Sequence, residues 1–224
     1  MLEQYLPNLI KYLPDFIEAL GETARMMLVA GTLSILIGLI IGVLIIISKP
    51  EGIMPNAFIN KFFDTITNLV WSIPFFILYM TMMPLVTTLM GQNALRVQGS
   101  YLPLMVGTIP FFVRQVENAL SEVNPGLIEA AQSMGSSNIE IITRVYLKEA
   151  IPSLVRGASI TLVVLFGLTT IAGNFGPGGL GIFVKRYGYD RNMKDILYVS
   201  LVVIIIIVAI IQGIGSYIAK KTTH

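Results

Sequence analysis

The chain has no cysteine and only one histidine in 224 residues. Without thiols there are no disulfides, no thiol catalysis and no Cys-ligated metal, and the redox compartment cannot be inferred. Charge is scarce as well. Asp, Glu, Lys and Arg make up 12% of the chain, half the roughly 25% of a soluble domain. So little charge cannot clothe a water-facing surface, and it also excludes disorder, coiled coil and the surface of a soluble enzyme. The 15 basic and 13 acidic residues leave a net charge of +2, which argues against a nucleic-acid partner. What remains is apolar: 54% hydrophobic residues and a mean hydropathy of +0.77. The chain reads as an all-α membrane protein.

Charge-free runs locate the expected spans at residues 26–48, 65–95, 97–113, 157–184 and 196–219. A crossing takes about 20 helical residues at roughly 1.5 Å each. The second run is too long for one pass, and Pro84 with the polar Gly91-Gln92-Asn93 places its end near Met83 or Leu85. The third is short, but it extends through Arg114 and Glu117, which lie three apart on one helix face and can pair or snorkel. About five transmembrane helices are expected. Residues 1–22 are not expected to be a signal peptide, because Glu3 precedes any basic residue. Leu2, Leu6, Leu9, Leu13, Phe16 and Leu20 recur at roughly helical spacing, interrupted by Pro7 and Pro14. That pattern suggests an irregular amphipathic segment lying on the surface. The expected organisation is then an amphipathic segment 1–22, a transmembrane domain 23–219 and a tail 220–224.

Charge does not orient these spans. With the C-terminus inside, the cytoplasmic side holds eight basic residues (Lys49, Lys61, Arg114, Arg144, Lys148, Arg156, Lys220, Lys221) against seven outside (Lys11, Arg25, Arg96, Lys185, Arg186, Arg191, Lys194).

Residues 121–152 form the one polar stretch with a structured pattern. Asn124 can cap a helix that starts at Pro125. Leu127, Ala130, Ala131 and Met134 follow as a single apolar stripe, and Gly135 is a natural stop. Ser137 and Glu140 have capping-box spacing for a second helix through Ile141, Ile142, Val145 and Ala150, with Pro152 marking entry to the next span. Two short helices joined by a turn are expected. They are either a connector packed beneath its own spans or a docking element for another protein, since Ala130 and Ala131 permit close approach.

Glu129-Ala130-Ala131 followed by Gly135 resembles the EAA loop of ABC importer permeases. The second half of that pattern departs from the family, with Val145, Tyr146 and Leu147 followed by Lys148 where proline is usual. Trp71-Ser72-Ile73-Pro74-Phe75, Gly126-Leu127-Ile128-Glu129-Ala130, Gly178-Gly179-Leu180-Gly181, Arg186-Tyr187-Gly188-Tyr189, Gln212 and the tail from Ala219 to His224 are similar to methionine importer permeases. The likeness runs from about Glu22 to the end and is weaker over residues 91–100. It implies a permease in the bacterial inner membrane that pairs with a second copy of itself. It also implies two cytoplasmic ABC ATPase subunits holding ATP-Mg and an extracytoplasmic substrate-binding (lipo)protein delivering D- or L-methionine. A loop that meets an ATPase faces the cytoplasm, so the resemblance puts the N-terminus outside and the C-terminus inside. The ATPase-coupling residues would be Pro125, Gly126, Leu127, Glu129, Ala130, Ala131, Met134 and Gly135.

Other motifs weigh against rival classes. The nearest P-loop candidate, Gly215 to Thr222, has Lys220 where the second glycine belongs. This chain is therefore expected to hold no nucleotide site, and the resemblance to a permease implies that it binds no cofactor and is not an enzyme. Gly176-Pro177-Gly178-Gly179-Leu180-Gly181 spells a dinucleotide fingerprint, but a membrane span precedes it instead of a strand. It reads as a turn at the outer mouth or a re-entrant bend. Ser34, Gly38 and Gly42 form a small-x3-small packing motif, within or between chains. Trp71 reads as an interface anchor, and His224 has no expected role. Asn68, Ser72, Thr169, Thr170 and Asn174 are candidates for the translocation path, against the plainer reading that each satisfies nearby backbone. The near absence of charge in the spans suits an apolar thioether and disfavours a proton-coupled carrier. The alternatives are an ABC permease for another small amino acid and an ATP-independent secondary transporter. An intramembrane protease is disfavoured, since the single His is terminal and no Asp lies in a charge-free run.

Overall fold

Prolines, glycines and caps decide where each helix begins and ends. The computed structural model describes residues 5–222, and every regular element among them is helical. Helix α1 (Pro7–Lys11) opens on proline, where the missing N–H costs nothing. Helix α2 (Leu13–Ile47) has 35 residues and so reaches about 52 Å, well past the ~30 Å hydrocarbon layer. Pro14 is its second residue and starts the helix instead of interrupting it. Residues 7–22 are thus largely helical, not irregular. Leu9, Phe16 and Ala19 are buried, whereas Leu13 and Ile17 are exposed; Leu2 and Glu3 fall outside the described residues.

The second span starts later than its charge-free run and ends beyond the Met83 or Leu85 expected from Pro84. Pro74 disfavours helical geometry at the residue before it, and Ile73 is extended, with φ −81° and ψ 123°. This break separates α3 (Ala57–Ser72), capped by the Asn56 side chain, from α4 (Phe75–Met90). Pro84 lies inside α4 without ending it, and the helix stops at Gly91, where φ is +55°. The apolar crossing is therefore Phe75–Leu95, and residues 65–72 belong to the amphipathic α3.

Helix α5 (Val97–Ser121) follows, then the short α6 (Pro125–Ser133) and the 36-residue α7 (Asn138–Gly173). The expected second short helix is in fact the first part of α7, which runs on through Pro152 to Gly173. A π-helical segment, Ile141–Tyr146, lies just before that proline. The fourth span ends at Gly173 and not near Val184, because Gly176, Gly178 and Gly179 take φ values of +107°, +99° and +88°, which no helix accommodates. Helix α8 (Leu180–Phe183) restarts after that turn, and α9 (Lys194–Thr222) closes the described chain.

Among the described residues, four helical stretches are long and apolar enough to cross a membrane: α2, Phe75–Leu95, α7 and α9. The remaining expected span, α5, has 25 residues. Its Gln98, Arg114, Gln115, Glu117 and Asn118 lower its hydropathy. The chain is an all-α membrane protein.

The chain divides into two compact units, each taking part of α2, α5, α7 and α9. The first comprises the described residues up to Leu33 with Pro74–Gly107 and Leu162–Ile211. One of its cores holds Met26, Ala30, Tyr79, Leu104 and Leu165, with Tyr79 stacked on Phe175 at 4.6 Å. Another joins Leu9 and Phe16 to Leu180, Phe183 and Ile196. The second unit comprises Ser34–Ile73, Thr108–Thr161 and the described chain from Gln212. Its core holds Ile46, Phe112, Val116, Leu120, Ala131 and Ile141. Here the small-residue motif has its answer. A Cβ on Gly38 would fall 2.9 Å from the Phe112 side chain, and one on Gly42 would fall 2.6 Å from that of Val116. The two glycines pack α2 against α5 within one chain.

Candidate coupling segment and translocation residues

Helix α6 is set by its flanks. The Asn124 side chain accepts from the Gly126 N–H at 2.9 Å, and Pro125 takes the first helical position. At the far end the Gly135 N–H donates to the Gln132 carbonyl and the Ser136 N–H to that of Ala131. Gly135 itself is left-handed, with φ +79°. Ser137 and Glu140 form both bonds of the capping box that opens α7.

The apolar stripe of α6 divides differently from its spacing. Ala131 is buried and Ile128 packs with it in the second unit's core. Leu127, Glu129, Ala130, Met134 and Gly135 are exposed. Met134 is 79% exposed and Ile139, just beyond the bend, 73%.

The five polar path candidates are divided between the two units. Asn68 and Ser72 belong to the second unit, whereas Thr169, Thr170 and Asn174 belong to the first. Ser72 donates to the Asn68 carbonyl, Thr169 to that of Phe166 and Thr170 to that of Gly167. Asn174 donates to the carbonyls of Thr170 and Ile171. Four of the five therefore satisfy their own helix. Only Asn68 reaches further.

Asn68 leads to a cluster that the charge-free runs concealed. Arg114 pairs with Glu117 on α5, and its Nη2 also donates to Asp64 at 2.8 Å and to Asn68 on α3. Lys49 stands 3.9 Å from Glu117. The i, i+3 pair was legible in the sequence, but Asp64 and Asn68 lie 50 and 46 residues from Arg114. The only available signal was the polar stripe of Asn60, Asp64 and Asn68 along α3, where Asn60 donates to the Ile45 carbonyl.

In the first unit, α2 holds the glycine turn. The Gly179 N–H donates to the Glu22 carboxylate and the Leu180 N–H to the Thr23 hydroxyl. The fingerprint-like sequence is thus a turn pinned at the start of α8, as expected from the absence of a strand. Nearby, Tyr187 donates to Asp15 at 2.8 Å. That bond holds the Tyr187 phenol above its ordinary value, with burial and the charge of Asp15 acting in the same direction.

An all-helical membrane chain with a capped, exposed connector defines a polytopic membrane component. The chain belongs to the family of binding-protein-dependent transport system inner membrane components, whose model matches residues 34–223. It is 37% identical over 206 residues to the probable D-methionine transport system permease protein MetI of Vibrio cholerae, covering 92% of this chain and 91% of that one. It is 39% identical over 225 residues to the methionine import system permease protein MetP of Bacillus subtilis, covering 98% of each. Among solved structures it is similar to a chain of the inward-facing MetNI methionine ABC transporter. The TM-score is 0.90 at 36% identity, over 96% of this chain and 99% of that one. An amino acid ABC transporter crystallised with histidines shares the fold at a TM-score of 0.79 and 16% identity, over 96% and 98% of the two chains.

Proposed function

We propose that this chain is the membrane-spanning permease subunit of an ATP-binding-cassette importer that carries methionine into the cytoplasm. The observation behind this reading is the near-complete overlap with the MetNI chain at 36% identity, supported by relatives named for D-methionine and methionine transport. On this reading a second copy completes the pore, and two cytoplasmic ATPase subunits bind and hydrolyse ATP-Mg. An extracytoplasmic binding protein delivers the substrate. The N-terminus lies outside, while residues 121–152 and the tail 220–224 lie in the cytoplasm.

Helix α6 is then the lever. Its core side is anchored by Ile128 and Ala131, and its exposed side offers Leu127, Glu129, Ala130 and Met134 to a cleft in the ATPase. Closure of the ATPase pair pulls on α6 and switches the pore between outward and inward access. A second reading, import of another small amino acid, draws on the fold shared with the amino acid transporter, because fold alone does not set substrate. An ATP-independent carrier is the weaker alternative.

ATP-dependent uptake into vesicles holding the chain, its ATPase and its binding protein tests the reading. Saturable methionine uptake, uncompeted by other amino acids, is the expected result. Uptake that ignores ATP would sink the importer assignment, and equal competition by other small amino acids would sink the substrate.

A further inference from the structure

A cavity of about 590 Å³ opens in the first unit between α2, the residues joining α4 to α5, and the glycine turn before α8. Its wall carries three carboxylates, Asp15, Glu18 and Glu22, and three guanidiniums, Arg25, Arg96 and Arg186. Positions i, i+3 and i+7 place the carboxylates on one face of α2. Two of them are already engaged, Asp15 by the Tyr187 hydroxyl and Glu22 by the Gly179 amide. Glu18 and the three guanidiniums make no hydrogen bond or ion pair among the described residues. The cavity thus presents free cationic donors beside one free acceptor, and its six charges cancel.

That balance selects among ligands. A simple anion would satisfy the guanidiniums but be repelled by Glu18, and a simple cation would meet the reverse. A zwitterion satisfies both. Its carboxylate accepts charge-assisted, bidentate bonds from guanidinium groups, and its ammonium donates to Glu18. The volume falls within the usual few hundred to ~1,000 Å³ of small-molecule sites.

We propose that this cavity is a headgroup site for a free α-amino acid, held by its carboxylate at Arg25, Arg96 and Arg186 and by its ammonium at Glu18. The inference rests on the importer reading, which puts this side of α2 outside. It gives the chain its own station for the substrate between the binding protein and the pore.

Saturation-transfer NMR on the full chain with its ATPase subunits in nanodiscs, without binding protein, tests the site using L-methionine as probe. Transfer to methionine is expected, with little to its methyl ester or to N-acetylmethionine, each of which lacks one charge. Arg96→Gln and Glu18→Gln should each weaken binding about tenfold. Lys11→Gln, outside the cavity, should leave it unchanged, and size-exclusion profiles should show every variant assembled. No transfer from an intact assembly overturns the proposal, as does equal binding by Arg96→Gln, Glu18→Gln and the methyl ester. If binding fails while ATP-driven methionine uptake persists, the site falls and the importer stands. If the unaltered system shows no such uptake, the importer reading falls and the site with it.

Discussion

The Glu22 carboxylate accepts a 2.6 Å hydrogen bond from the backbone N–H of Gly179, 157 residues further along the chain. The contact exists because Gly178 has no side chain. A Cβ there would stand where the Glu22 carboxylate is, and φ at Gly178 is +99°. Gly176 has φ +107° but open space around it.

Gly178→Ala should therefore cost more than Gly176→Ala. Backbone strain alone amounts to about 1–3 kcal/mol, and only the first variant also displaces the Glu22 bond, worth about 1–3 kcal/mol more. Thermal unfolding of the two variants in the same detergent measures the difference. Equal melting temperatures would refute the clamp.

Glycines on the face of α2 that meets α5 should behave oppositely to one off that face. Gly42→Leu overpacks against Val116, at a cost of about 1–3 kcal/mol or more. Gly21 lies in the same helix with no atom near its missing Cβ, so Gly21→Ala should stabilise by about 0.5–1 kcal/mol. Denaturant titration of both variants reads the sign directly.

Arg114→Gln leaves Glu117, whose side chain is 10% exposed, with only the more distant Lys49. A loss of about 3–5 kcal/mol is expected for such an orphaned charge. Asp64→Asn should cost far less, about 1 kcal/mol, because Asp64 is 42% exposed and Arg114 keeps Glu117. A double-mutant cycle on Asp64 and Arg114 measures their coupling; independence of the two would remove Asp64 from the network.

The Tyr187 hydroxyl donates to Asp15 only while protonated. Its value in the folded chain is raised, so the contact contributes fully below the unfolded phenol value near 10. The contribution disappears as pH climbs through the higher folded value. Tyr187→Phe should flatten that alkaline part of the stability curve and leave its neutral part with a constant offset. An unchanged alkaline limb in melting temperature against pH would show that the bond does not matter.

At the bend after α6, the left-handed φ of +79° at Gly135 lies in open space. Strain, not crowding, is the obstacle to substitution. Asn tolerates this geometry and β-branched residues do not. Gly135→Asn should retain most uptake, whereas Gly135→Val and Glu129→Leu should abolish both uptake and stimulated ATPase activity with membrane insertion unchanged. Normal uptake by the last two would remove α6 from the coupling role.

Much of the candidate coupling segment was legible in advance, because caps are local. Asn124, Pro125, Gly135 and the Ser137–Glu140 box act through residues two to four positions away, and each stands as its spacing implies. Proline was less reliable. Pro74 breaks the chain, yet Pro84 and Pro152 sit inside helices, since a long helix can lose one backbone bond and continue. The stripe on α6 splits between core and surface, because spacing says which residues share a face but not what that face meets.

Apolar composition and charge-free runs by themselves determined an all-helical membrane chain, since hydrocarbon admits only segments that satisfy their own backbone. Only the tertiary structure decided which partners the few polar groups would take. Arg114 found Asp64, Glu22 found Gly179, and six charged side chains came to line one cavity. Those pairings depend on which helices lie side by side, and no local spacing encodes that.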